Sequence, residues 1–73
     1  MFEIGDKVYD YAFDEFGEVL EMHLGVYPVI VTFKLDKAVI NQGYTADGRR
    51  DELDKNPVLF KEKVKIVPVE EGE

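Results

Sequence analysis

Pro28-Val29-Ile30-Val31-Thr32-Phe33-Lys34-Leu35 is the stretch that decides the fold. It is rich in β-branched residues and has a period of two, with Val29, Val31, Phe33 and Leu35 on one face and Ile30, Thr32 and Lys34 on the other. That pattern predicts a half-buried strand. Upstream, Glu18 to Leu24 alternates in the same way and sets Leu20, Met22 and Leu24 against Val19, Glu21 and His23. Gly25-Val26-Tyr27-Pro28 interrupts it. Lys7 to Phe13 places Tyr9, Tyr11 and Phe13 on one face and Val8, Asp10 and Ala12 on the other, and Asp14-Glu15-Phe16-Gly17 is turn chemistry. Downstream, Ala38-Val39-Ile40 begins a strand running to Tyr44 and Thr45, and Asp47-Gly48 marks a tight turn with Gly48 at positive φ. Arg50 to Asn56 is polar and suits a loop or a single helical turn. Val58-Leu59-Phe60 and Val64-Lys65-Ile66-Val67 read as short strands after Asn56-Pro57.

Several short strands without a convincing helix predict an all-β chain. In this length, a small SH3-like (Tudor-like) five-stranded barrel is the most economical way to close them. One domain is expected over residues 1–69, with an acidic, frayed tail at 70–73. Its core is expected to include Val8, Leu20, Val31, Phe33, Leu59 and Ile66. The 73 residues contain no cysteine and a single histidine, His23. Disulfides and thiolate zinc sites are therefore excluded, and stability must come from apolar packing, to which five Phe and four Tyr contribute. Met1 to Asp6 has acids where a secretory signal has a basic start and an apolar run, and no apolar stretch approaches a membrane span. A soluble protein of a reducing cytoplasm, with no membrane partner, is the expectation.

Gly5-Asp6-Lys7-Val8-Tyr9-Asp10 followed by Phe16-Gly17-Glu18-Val19 resembles the opening of Tudor-like and KOW-like barrels. The fuller succession adds Tyr27-Pro28-Val29, Val31 and Phe33, then Tyr44-Thr45 with Asp47-Gly48-Arg49, then Asn56-Pro57-Val58-Leu59-Phe60. It resembles small uncharacterised proteins encoded by bacterial phages and prophages. The resemblance covers most of the chain and implies a barrel of phage or mobile-element origin working in a bacterial host cell. It also implies that exposed aromatics hold peptides or cationic groups, as they do in Tudor-like domains.

The inventory argues against an enzyme. With no serine or cysteine, Ser-His-Asp and Cys-His arrangements are impossible. Gly43 to Arg50 has the glycine spacing of a phosphate-binding loop, but Arg49 and Arg50 stand where Lys and Ser or Thr are required. Asp47, Asp51, Glu52 and Asp54 miss the register of a calcium loop and read as a solvated loop paired with Arg49 and Arg50. Asp14, Glu15 and Glu18 read as a solvated turn rather than a carboxylate pair, and His23 lacks partner ligands. No cofactor and no metal are expected.

Net charge is −7, and residues 1–30 hold seven acids against Lys7 alone. Such a chain attracts basic partners and repels phosphate backbones. The leading expectation is a non-enzymatic protein-interaction module using an acidic, aromatic-containing face. Tyr11, Glu18, Glu21, Tyr27 and Tyr44 are its candidate residues, and Asp10, Asp14, Glu15, Glu18 and Glu21 are expected to merge into one negative surface. Nucleic-acid binding through Arg49, Arg50, Lys61, Lys63 and Lys65 is the alternative, and a structural virion or assembly role through an exposed edge strand is a third.

Overall fold

The computed structural model describes residues 1–61. They form five strands: β1 Lys7–Asp10, β2 Glu15–Met22, β3 Val29–Lys34, β4 Val39–Tyr44 and β5 Leu59–Lys61. The strands make one antiparallel sheet in the order β4-β3-β2-β1-β5, with no helix among the described residues. The all-β expectation holds. Its two edges, β4 and β5, are not paired with each other, so the described sheet is not a closed barrel. Residues 62–73, including the expected strand Val64–Val67 and the expected core position Ile66, lie outside the described residues.

The sheet's inner face makes the core. Val8, Val19, Val29, Val31, Phe33, Tyr44 and Leu59 are buried there, and Phe2 covers them from the chain's start. Val8, Val31, Phe33 and Leu59 take the core positions expected of them. Leu20 does not. Val19 pairs with Val31 and points inward, and Leu20, left unpaired at the register shift between Val19 and Glu21, is exposed. A single extra residue on one strand suffices to turn the following side chains over.

Gly17 explains the choice of face. It opposes Val8 on the inner side of the sheet, and the Phe33 ring lies directly over it. A Cβ at this position would sit 2.8 Å from the ring and 2.7 Å from the Thr32 carbonyl oxygen. Only glycine lets the ring approach, and this contact places positions 17 and 19 inward.

The strand face of Tyr9, Tyr11 and Phe13 also divides. β1 ends at Asp10, whose carbonyl accepts a hydrogen bond from the Asp14 amide at 2.6 Å, and the chain turns there with Asp14 at φ 62°. Phe13 thereby swings under the sheet and packs edge-on against Phe33, with ring centroids 5.1 Å apart.

Asp10 corrects the expectation of an outward acid. It is fully buried beside Val8 on the inner face. One carboxylate oxygen accepts the Phe13 amide at 2.8 Å and the other accepts the Tyr44 hydroxyl. That second bond runs from β1 to β4, three strands apart in the sheet. In a flat sheet those strands would be about 14 Å apart, beyond the joint reach of the two side chains. The sheet must curl with its inner face concave.

Gly48 has φ 92°, as the Asp47-Gly48 turn requires, and its amide donates to the Thr45 carbonyl at 3.0 Å. Its own carbonyl accepts both the Val58 and the Leu59 amides at 3.0 Å. The loop leaving β4 is thus tied to the start of β5.

Candidate functional site

Strand pairing alone builds an aromatic strip on the outer, convex face. Tyr9 on β1 lies opposite Phe16 on β2 and opposite Phe60 on β5. Tyr11 follows on the same face and is held there by its amide, which donates to the Val58 carbonyl at 2.9 Å. The four rings touch in sequence. Phe16 and Tyr9 have centroids 4.7 Å apart, Tyr9 and Tyr11 5.2 Å, and Tyr11 and Phe60 5.2 Å, the last two edge-to-face. Such pairs stabilise one another beyond simple burial. Even so, Phe16 is 61% exposed, Tyr11 65% and Phe60 43%. Three large exposed rings held together by their own contacts form an aromatic patch on this face.

Charges border the strip. The Tyr9 hydroxyl donates to the Asp14 carboxylate, which raises the Tyr9 pKa above that of an ordinary phenol. Glu18 lies on the same outer face, opposite Lys7. Glu21 is exposed and its carboxylate lies 2.6 Å from the His23 ring. At the far end, the Lys61 ammonium is 3.5 Å from the Asp6 carboxylate. The negative surface expected from Asp10, Asp14, Glu15, Glu18 and Glu21 is therefore smaller than the sequence suggested. Asp10 is inside, Glu15 is half-buried on the inner face opposite it, and Asp14, Glu18 and Glu21 are exposed.

The expected convergence of Tyr11, Tyr27 and Tyr44 does not occur. Tyr44 is fully buried, where burial first and the Asp10 hydrogen bond second push its pKa far above the usual value. Tyr27 lies beside β4, with its Cβ 3.4 Å from where a Gly43 Cβ would stand, and its hydroxyl receives the Glu52 amide at 3.4 Å. Of the three, only Tyr11 belongs to the strip. Tyr9, Phe16 and Phe60 were not among the expected site residues. Tyr9 and Phe60 read as ordinary strand residues until β5 is placed beside β1, and Phe16 was read as part of a turn.

Of the basic residues named for nucleic acid, the three among the described residues, Arg49, Arg50 and Lys61, do not form one strip. Arg49 is committed within its own loop: its Nε lies 3.0 Å from Asp47, and Nη1 donates to the Glu52 and Asp54 carbonyls at 2.7 and 2.9 Å. The Thr45 hydroxyl first and the Arg49 guanidinium second hold the Asp47 carboxyl below its usual pKa. Arg50 borders a small cavity of about 100 Å³ lined also by Asp10, Phe13, Phe33 and Tyr44 on the inner side. Lys61 is near Asp6, and Lys63 and Lys65 lie outside the described residues. No group of three or more His, Cys, Asp or Glu side chains is placed to hold a metal among the described residues. Among the described residues there is no helix long and apolar enough to cross a membrane.

Comparison with known protein families, characterised proteins and solved structures found no significant match to this chain.

Proposed function

We propose that this chain is a non-enzymatic protein-interaction module that receives a basic segment of a partner protein on the strip of Tyr9, Tyr11, Phe16 and Phe60. One observation carries the reading: the four rings are in mutual contact, yet three face solvent. Aromatic faces attract Lys and Arg side chains, and the adjoining Asp14 and Glu18 favour the same charge. The net charge of −7 would draw such a partner in and repel nucleic acid.

The scaffold in this reading is an SH3-like barrel. Its supports are the strand order β4-β3-β2-β1-β5, the curl demanded by the Asp10–Tyr44 bond, and the Gly48 carbonyl tying the exit of β4 to β5. A phage or mobile-element origin, with a host or phage protein as partner, rests on the sequence resemblance alone.

The test is titration of the protein with a Lys/Arg-rich peptide and with an acidic peptide of equal length, for wild type and for Tyr11→Ala/Phe16→Ala. The rings are exposed but make all three contacts of the strip, each worth about 0.5–1.5 kcal/mol, so the variant should melt lower. Binding is compared at a temperature where circular dichroism shows both proteins folded. Each exposed cation–π contact is worth about 0.5–1 kcal/mol, so the double variant should bind the basic peptide about tenfold more weakly. Equal affinity of wild type and variant, or equal affinity for the acidic peptide, would remove the strip as the binding face. A salt-dependent shift with single-stranded DNA or RNA instead would reassign the rings to base stacking.

A further inference from the structure

Beside the Asp10–Tyr44 bond the inner face of the sheet encloses a small cavity of about 100 Å³. Its deepest residues are Asp10, Phe33 and Tyr44, none of them exposed to solvent. Phe13, Ile40 and Gln42 line it further out, and the exposed Arg50 stands at its mouth. Two groups of opposite charge therefore border one space. Each Asp10 carboxylate oxygen accepts one hydrogen bond, from the Phe13 amide and from the Tyr44 hydroxyl. An ionised carboxylate has about four acceptor sites, so capacity remains. Neither Asp10 nor Arg50 has an ion-pair partner among the described residues, so the two do not pair with each other across the cavity. The Arg50 charge nonetheless reaches the depth of the site. At the Tyr44 hydroxyl, where burial and then Asp10 push the pKa up, Arg50 pushes it down.

The cavity lies in the field between a buried anion and a cation at the rim, and such a field chooses its occupant by charge distribution. A simple anion is drawn by Arg50 and repelled by Asp10, and a simple cation meets the reverse. A compact dipole with its cation inward and its anion outward is favoured at both ends. Size narrows the choice further. About 100 Å³ is the share of about three water molecules, too little for a cofactor or a long side chain. We propose that this cavity binds a free small α-amino acid, glycine or alanine, with its ammonium on Asp10 and its carboxylate on Arg50. An α-amino acid carries both charges on groups joined to one carbon, which suits so short a site. Phe13, Phe33 and Ile40 offer the alanine methyl group an apolar wall. The site is on the concave face and uses none of Tyr9, Tyr11, Phe16 or Phe60, so it stands or falls independently of the aromatic strip.

The experiment is titration of the full chain with glycine and with alanine, followed by its backbone amide signals in two-dimensional NMR. Methylammonium and acetate, which carry one charge each, are titrated beside them at equal ionic strength. Glycine and alanine should shift the Phe13, Gln42 and Arg50 amides saturably, with Kd in the millimolar range. Methylammonium and acetate should bind at least about tenfold more weakly, since each lacks one of the two charged contacts. Arg50→Gln changes an exposed side chain, so its melting curve should match wild type. It should weaken glycine at least about tenfold and leave methylammonium no weaker, because the repulsion at the mouth has gone. Ile40→Trp, at a partly exposed position, should fill the mouth and abolish the shifts. Absence of saturable shifts up to about 0.1 M glycine overturns the proposal. So does methylammonium or acetate binding as tightly as glycine, and so does glycine affinity unchanged in Arg50→Gln or Ile40→Trp. Shifts confined to residues away from the cavity overturn it as well.

Discussion

Tyr44→Phe deletes one oxygen from the core and tests the pair that spans the sheet. The Tyr44 hydroxyl donates to Asp10, both residues are fully buried, and the other carboxylate oxygen of Asp10 is held by the Phe13 amide. A hydrogen bond to a charged group contributes about 1.5–3 kcal/mol, and its loss here leaves a buried carboxylate with one fewer donor. Against the roughly 3–5 kcal/mol expected of a core this size, a loss of about 2 kcal/mol is close to half of the fold's stability. The sign of the pH dependence follows from the Tyr44 pKa. Burial and Asp10 raise it in the folded chain well above the ordinary 10.0, with Arg50 opposing slightly. Below that ordinary value both folded and unfolded chains hold the proton, and the contribution is complete. Above it the unfolded chain ionises while the folded chain does not. Stability therefore falls by about 1.4 kcal/mol per pH unit until the folded pKa is reached. Tyr44→Phe lacks that loss, so its deficit of about 2 kcal/mol at neutral pH should shrink to under about 1 kcal/mol near pH 11. Urea unfolding followed by circular dichroism at a series of pH values, on both proteins, measures the difference directly. Every other side chain is the same in both proteins, so only the Tyr44 hydroxyl enters the difference. Equal midpoints at neutral pH, or a gap constant across the alkaline range, would refute the assignment of Tyr44 and Asp10 as a buried pair.

Three further outcomes are expected. Phe33→Ala removes the ring that covers Gly17 and supports Phe13, and should cost about 3–5 kcal/mol; a wild-type melting curve would put Phe33 outside the core. Gly48→Val forces a β-branched residue to φ 92° with its Cβ 2.6 Å from the Leu59 carbonyl, and should cost more than about 2 kcal/mol in urea unfolding. Glu18→Lys/Glu21→Lys, at exposed sites, should leave the melt intact. It should slow association with a basic peptide severalfold at low salt, and the two rates should converge as salt rises; superimposable stopped-flow rates would leave these acids as solvation only.

The parts of the fold that were legible in the sequence are those fixed by neighbours along the chain. Pro28–Leu35 declares β3 because its inner residues are Val and Phe and its ends are marked, and Asp47-Gly48 declares its turn because the conformation is a property of the glycine itself. The face of β2 was misread for the opposite reason. Leu20, Met22 and Leu24 form the more apolar set, and only the Phe33 ring lying across Gly17, sixteen positions away, selects Val19 instead. Asp10 read as an outward acid because nothing local can satisfy it fully; its burial is tolerated through a hydroxyl 34 residues distant.

The aromatic strip was hidden in the same way. Its four members come from β1, β2 and β5 and from the residue just past β1, and they meet only when β5 docks beside β1. The buried pair and the exposed strip are nonetheless one consequence of a single bend. Joining Asp10 on β1 to Tyr44 on β4 requires the inner face to close like a hand, and a sheet concave on one side is convex on the other. On a convex face, neighbouring side chains splay apart at their tips. The rings joined across β2, β1 and β5 lie on that convex side, in contact with one another while three of them stay exposed to water. A change that flattens the sheet, such as loss of the Asp10–Tyr44 bond, should alter the strand-to-strand angles on which those ring contacts depend. The core of this chain and its candidate binding face are in that sense set by the same hydrogen bond.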